Sequence, residues 1–244
     1  MSAYDEYLTA VQRQIDEVTR AQRASIETAA RWVSEALARK RFLFVFGTGH
    51  SHMLAEELFY RAGGLTRVIP ILDEPLMLHR SATQSTGVER QTGYADQILD
   101  RYRIGPGDVL IVASNSGRNA VPIELAQRAR SKGARTVALT SLLQTAAWPS
   151  RHPQGLKLKD VCDLVIDNGS VDGDAAIQVR GLDQKMGPTS SVVGTLLMNL
   201  IAIQAAQLAL EEGCPVEVFV SSNAGGDSHN ARIVAEISTA NPHL

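Results

Sequence analysis

The stretch from Val109 to Ala126 constrains this chain more than any other. An unbroken apolar run, Val109 to Ala113, leads at once into Ser114, Asn115, Ser116, Gly117, Arg118 and Asn119. Helix-forming sequence then starts at Ala120 and runs through Leu125 and Ala126. A five-residue apolar run bounded by turn residues reads as a strand covered on both faces. A strand that passes through a short polar turn into a helix is half of a parallel βαβ unit. The turn also carries chemistry. A helix start offers unpaired N–H groups and a partial positive charge, which suit an anion. Ser114, Asn115, Ser116 and Asn119 can add hydrogen bonds, and Gly117 lets the backbone approach a ligand closely. Helix capping alone needs one such residue. The excess points to a phosphate on a small metabolite. No Gly-Lys-Ser/Thr follows, so the turn is not a Walker loop.

The same alternation recurs along the chain. Strand signals fall at Phe42–Phe46, Arg67–Leu72, Val109–Ala113, Arg135–Thr140 and Asp163–Asp167. Pro70 pushes the second toward a sheet edge. Helical patterns fall at 51–62, 91–101 and 119–131, and a long apolar one runs from Pro188 to Glu212. This predicts an α/β fold with a doubly wound, five-stranded parallel sheet flanked by helices. Residues 1–38 carry helical spacing ahead of the sheet and read as an N-terminal arm on a domain spanning 39–244. The segments 141–160 and 168–187 show no period and read as loops.

Composition narrows the class. Net charge is -2 over 244 residues, which gives no electrostatic case for nucleic acid. Cys162 and Cys214 stand far apart with no ligand spacing, against a zinc site or a disulfide scaffold. No signal peptide is visible, and Thr195, Asn199, Gln204 and Gln207 interrupt the long apolar helix, so a membrane span is not expected. The expectation is a cytoplasmic chain. The helix then lies inside the fold or between subunits, which predicts a homodimer or homotetramer.

Other candidate residues cluster after the first strand, in Gly47-Thr48-Gly49-His50-Ser51-His52. The third glycine of a dinucleotide fingerprint is His52 here, which weakens the case for a nicotinamide cofactor. Thr48 and Ser51 instead face the cleft of the serine loop, because both loops lie at carboxyl ends of strands. Glu56 and Glu57 follow on the next helix. Neighbouring helical residues point about 100° apart, so one can serve the cleft as an acid/base while the other meets solvent; two solvated glutamates are the plain alternative. His50 and His79 follow strands, and His229 lies in a glycine-rich segment.

These loops, in this order, resemble the sugar isomerase (SIS) domain family over roughly residues 35 to 210. Ser114 to Asn119 is similar to the family's phosphate cradle, with Asn119 in place of the final hydroxyl and Arg118 as in N-acetylmuramic acid 6-phosphate etherases. Gly47 to Ser51 followed by Ala55-Glu56-Glu57-Leu58 resembles phosphoheptose isomerases, although the Glu pair lies one turn nearer the loop. Lys185 to Ser190, and Thr86-Gly87-Val88-Glu89, resemble etherase segments. The resemblance implies a flavodoxin-like fold that binds a sugar phosphate, through Thr48 and Ser51 on one wall and the serine loop on the other. It implies aldose–ketose isomerisation, with Glu57 or Glu89 as the carboxylate and His50, His79 or His229 assisting, without metal or cofactor. Elimination of a lactyl ether, or sensing of a phosphosugar without catalysis, are the alternatives.

Overall fold

The computed structural model of the chain describes residues 2–244. Two helices come first, α1 (Ala3–Ala21) and α2 (Arg23–Ala38). The core then alternates: β1 (Leu43–Gly47), α3 (Met53–Leu58), β2 (Val68–Ile71), α4 (Ala82–Val88), α5 (Tyr94–Leu99), β3 (Val109–Ala113), α6 (Ala120–Ser131), β4 (Arg135–Thr140), α7 (Leu142–Ala147), α8 (Leu158–Val161) and β5 (Leu164–Asp167). A hairpin, β6 (Ala175–Ile177) and β7 (Met186–Pro188), leads to α9 (Ser190–Glu211) and α10 (Asp227–Ile237).

The five apolar runs pair in the order β2-β1-β3-β4-β5, all parallel. Order reverses between β1 and β3, and this switch point opens a crevice at the strands' carboxyl ends. Side chains alternate between two cores. Leu43, Val45, Val109, Ile111 and Val137 meet α2, α3 and α9 on one face. Phe44, Phe46, Leu110, Val112 and Ala138 meet α5, α6 and α8 on the other. Pro70 lies in β2, at the edge, where its missing N–H costs no ladder bond.

The N-terminal helices differ from each other. α2 buries Ile26, Ala29, Ala30 and Val33 in the first core, while α1 buries only Val11 and Val18. α9 is long and apolar enough by composition to cross a membrane. It nevertheless buries Val193, Leu197, Met198, Ile201 and Ala205 against the sheet layer, as a core helix does.

Several expectations need revision. The helix read over 51–62 is a 3-10 turn at Gly49–His52 and a six-residue α3. It stops at Phe59 because Phe59 and Tyr60 turn to pack against His243 and Phe219. The segment 141–160 is not all loop: the Ser141 hydroxyl accepts from the Gln144 amide at 3.1 Å and starts α7. The segment 168–187 contains the β6–β7 hairpin. α4 and α10 escape a reading by period, because α10 buries only Ile233 and Ile237 among its apolar residues.

Candidate functional site

β1 ends in Gly47 because nothing larger fits: a Cβ there would lie 2.3 Å from the Ser51 carbonyl oxygen. The chain therefore folds tightly back, and Thr48 is buried against the sheet end. Its hydroxyl donates to Glu89 Oε1 at 2.7 Å. Glu89 sits at the C-terminus of α4, and its backbone carbonyl accepts from the Val121 amide at 3.1 Å. Three elements thus converge on Glu89: the end of β1, the end of α4 and the first turn of α6.

The serine loop is shaped by where its carbonyls go. The Asn115 carbonyl accepts from the Thr140 hydroxyl at 3.2 Å, and the Ser116 carbonyl from the Thr145 hydroxyl at 3.0 Å. The Gly117 and Arg118 carbonyls accept from the amides of Leu158 and Arg151, each at 2.8 Å. All four are bound on the side of α7 and α8. The amides of Ser116, Arg118, Asn119 and Ala120 donate to no acceptor among the described residues. Gly117 holds the turn at φ 56°, a left-handed conformation that glycine accepts readily, and its amide donates to Ser114 Oγ at 3.3 Å. No side chain caps α6. Free amides at a helix start, beside the Ser116 hydroxyl, can receive a phosphate or carboxylate.

The opposite side of the loop is tighter. Ser51, Ser114, Asn115, Asn168, Ser190 and Ser191 line a pocket of about 10 Å³, room for a single water at most. Asn168 Nδ2 closes it by donating to Asn115 Oδ1 at 2.7 Å. Beyond it, the N-terminus of α9 is occupied. The Asp174 carboxylate accepts from the Thr189 and Ser190 amides at 3.1 and 2.9 Å.

The remaining candidates scatter. Glu57 points toward α9, where Asn199 Nδ2 donates to it at 2.9 Å and Arg61 forms an ion pair with it. It lines a pocket with Ala202, Ile203 and Val218, not the serine loop. Its neighbour Glu56 lies 3.7 Å from His52 Nε2. His50 is exposed on the 3-10 turn. His52 is buried, its Nδ1–H donating to the Gly49 carbonyl, and its ring lies 6.3 Å from that of His79. His79 and Glu56 border a separate cavity of about 790 Å³ at the end of β2. There the buried Asp73 carboxylate accepts from Tyr94 Oη at 2.8 Å and pairs with Arg101. Burial first, then the bond to Asp73, pushes the Tyr94 hydroxyl up to about 12. Burial, then Arg101, holds His243 below the usual histidine range. His229, on α10, bonds the Val218 carbonyl 3.0 Å away.

Sequence reasoning misses Asn168 and Arg151. Arg151 Nη1 donates to Asn119 Oδ1 at 3.2 Å across 32 residues, a separation that no local spacing reveals. Only the polar run after β3 marks that neighbourhood in the sequence.

The profile of the SIS domain family matches residues 6–141. A UPF0309 protein from Geobacillus thermodenitrificans is 42% identical over 98% of this chain and 97% of its own length. Another, from Listeria monocytogenes serotype 4b, is 42% identical over 90% of this chain and 89% of its own length. Among solved structures, a phosphoheptose isomerase from Neisseria gonorrhoeae superposes with a TM-score of 0.53 at 15% identity, covering 82% of this chain and 95% of that one. The Vibrio vulnificus NanR protein complexed with ManNAc-6P gives 0.51 at 16% identity, covering 97% of this chain and 70% of that one. At such identities the structural likeness concerns the fold. The switch-point crevice, the serine loop and the sequence matches agree: the chain belongs to the SIS domain family and is a relative of its UPF0309 proteins.

Proposed function

We propose that this chain binds a sugar phosphate over the serine loop and interconverts its aldose and ketose forms. One observation carries the reading: the loop's carbonyls are tied away from the crevice and its amides are left open, next to the Glu89 carboxylate on Thr48. The phosphate lies on the amides of Ser116, Arg118, Asn119 and Ala120, with the Ser116 hydroxyl donating to it. Glu89 takes the proton from the carbon beside the carbonyl and returns it to the former carbonyl carbon. The net change moves one hydrogen between carbons and one between oxygens, so no redox partner is needed. Glu57 is the weaker base candidate, because Arg61 and Asn199 already engage it. The phosphoheptose isomerase and the ManNAc-6P complex on the same fold support a sugar phosphate as the ligand.

A thermal-shift panel of sugar phosphates identifies the binder, since a ligand of the folded state raises stability. Proton NMR in deuterated water then reads exchange at the carbon next to the carbonyl. Exchange that disappears in Glu89→Gln supports the isomerase. Binding without exchange makes the protein a phosphosugar sensor, and lactate release from a lactyl ether makes it a lyase. No binding by any phosphosugar overturns the reading.

The partner of α9 is a second copy of the chain. Val192, Ile203 and Leu210 recur at helical spacing on its outer face, and Ile203 is 66% exposed. Light scattering that gives a monomer at micromolar concentration refutes this.

A further inference from the structure

Arg118 lies inside the serine loop, and its guanidinium is held in place. It stacks over the Trp148 ring, 5.8 Å from the centroid, a cation–π distance. Its Nε is shielded from solvent and has no hydrogen-bond acceptor. A buried charged donor without an acceptor is unfavourable, so the guanidinium is left to bond through its terminal nitrogens.

Arg151 approaches the same loop from the segment after α7. Its backbone amide donates to the Arg118 carbonyl at 2.8 Å, and its Nη1 to Asn119 Oδ1 at 3.2 Å. Burial first, then repulsion from Arg118 and Arg90, lowers the Arg151 pKa, while Glu89 raises it. Among the described residues, the only side-chain partner of the Glu89 carboxylate is the Thr48 hydroxyl, so it does not pair with either arginine. The loop amides accommodate one anion. The planar forks of the arginines suit another, since guanidinium matches carboxylate and phosphate with paired hydrogen bonds.

We propose that Arg118 and Arg151 form a subsite for a second anionic group, so that the ligand is a doubly anionic sugar derivative. This rests on the phosphosugar reading above. The second group is a carboxylate or a second phosphate, set apart from the phosphate on the serine loop.

The test is calorimetry at fixed ionic strength with fructose 6-phosphate, 6-phosphogluconate and fructose 1,6-bisphosphate. At least one doubly anionic probe binds about tenfold or more tighter than fructose 6-phosphate, the gain expected from charge-assisted hydrogen bonds. A gain for 6-phosphogluconate alone assigns a carboxylate; a gain for the bisphosphate alone assigns a phosphate. In Arg151→Gln, at an exposed position, the ratio of doubly to singly anionic affinity falls toward one. Arg118→Gln, checked for folding by circular dichroism, gives the same collapse. Equal affinity of all three probes overturns the proposal and leaves the phosphosugar reading standing. So does a ratio that Arg151→Gln leaves unchanged, or an equal loss for all three probes, which would assign the arginines to the first phosphate. If none of the probes binds the parent protein, the second-anion proposal falls, and the sugar-phosphate panel alone decides the phosphosugar reading.

Discussion

Two regions at the carboxyl edge of the sheet hold their charges in opposite ways. At the end of β2, the buried Asp73 is answered by Tyr94 and Arg101, beside the cavity of about 790 Å³. At the ends of β1 and β3, four loop amides and Arg118 Nε have no acceptor within the described residues, and the Glu89 carboxylate is bonded only by the Thr48 hydroxyl. The first region is electrostatically closed, and the second is not. On the proposed reading, unsatisfied donors mark a ligand site more directly than empty volume does. A polar group satisfied within the chain gains little from a ligand, whereas an orphaned one gains a full hydrogen bond.

The sharpest way to break this contrast is Glu89→Gln. The change keeps the shape and the bond to Thr48 while removing the base, so turnover falls by about 100-fold or more with binding retained. Full activity in the folded variant removes Glu89 from the chemistry and brings Glu57 back. The parallel Glu57→Gln leaves turnover near the parent's, because Asn199 and Arg61 engage it away from the serine loop. Next in size, Ser116→Ala removes a hydroxyl donor to a charged group. It weakens phosphosugar binding by about ten- to a hundredfold, or roughly 1.5–3 kcal/mol, and hardly affects unphosphorylated sugars. Unchanged affinity in calorimetry would mean that the loop amides act alone.

The closed region responds in stability instead. Asp73→Asn weakens the pairing with Arg101, whose side chain is half exposed, so solvent screening limits the loss to about 1–2 kcal/mol. Chemical denaturation reads that loss, and phosphosugar affinity stays at the parent's value. A drop in affinity instead would place ligand chemistry at the end of β2. The smallest effect concerns pH. His243 is harder to protonate folded than unfolded, so the unfolded chain takes up the proton first. Its contribution is fully present above the unfolded value near 6.5 and is lost as pH falls below it. His243→Gln therefore flattens part of the decline between about pH 7 and pH 5. An identical decline in the variant would show that His243 does not contribute to it.

Much of the crevice is legible in the sequence because its chemistry is local. The run Val109–Ala113 announces a doubly covered strand, and the six residues after it supply hydroxyls, a left-handed glycine and a helix start. Thr48 and Glu89 are also visible as candidates, and the structure joins them by a 2.7 Å hydrogen bond. Glu57 shows where such reasoning stops. Which of two adjacent glutamates faces a crevice depends on a rotation of about 100° per residue. Here α3 is only six residues long, and Phe59 and Tyr60 pull its end toward Phe219 and His243.

Local sequence accounts for the strand cores, the alternation of strands and helices and the polar turn after β3, because each follows from a residue pattern within a short window. Which charges distant in sequence meet depends on the fold. It brought Arg151 to Asn119 across 32 residues and left Arg118 Nε without an acceptor. It also turned the loop carbonyls toward Thr140, Thr145, Arg151 and Leu158, while the loop amides find no acceptor among the described residues. The reason is physical: apolar burial follows a periodic pattern, but charge pairing depends on distance in space, which sequence separation does not encode.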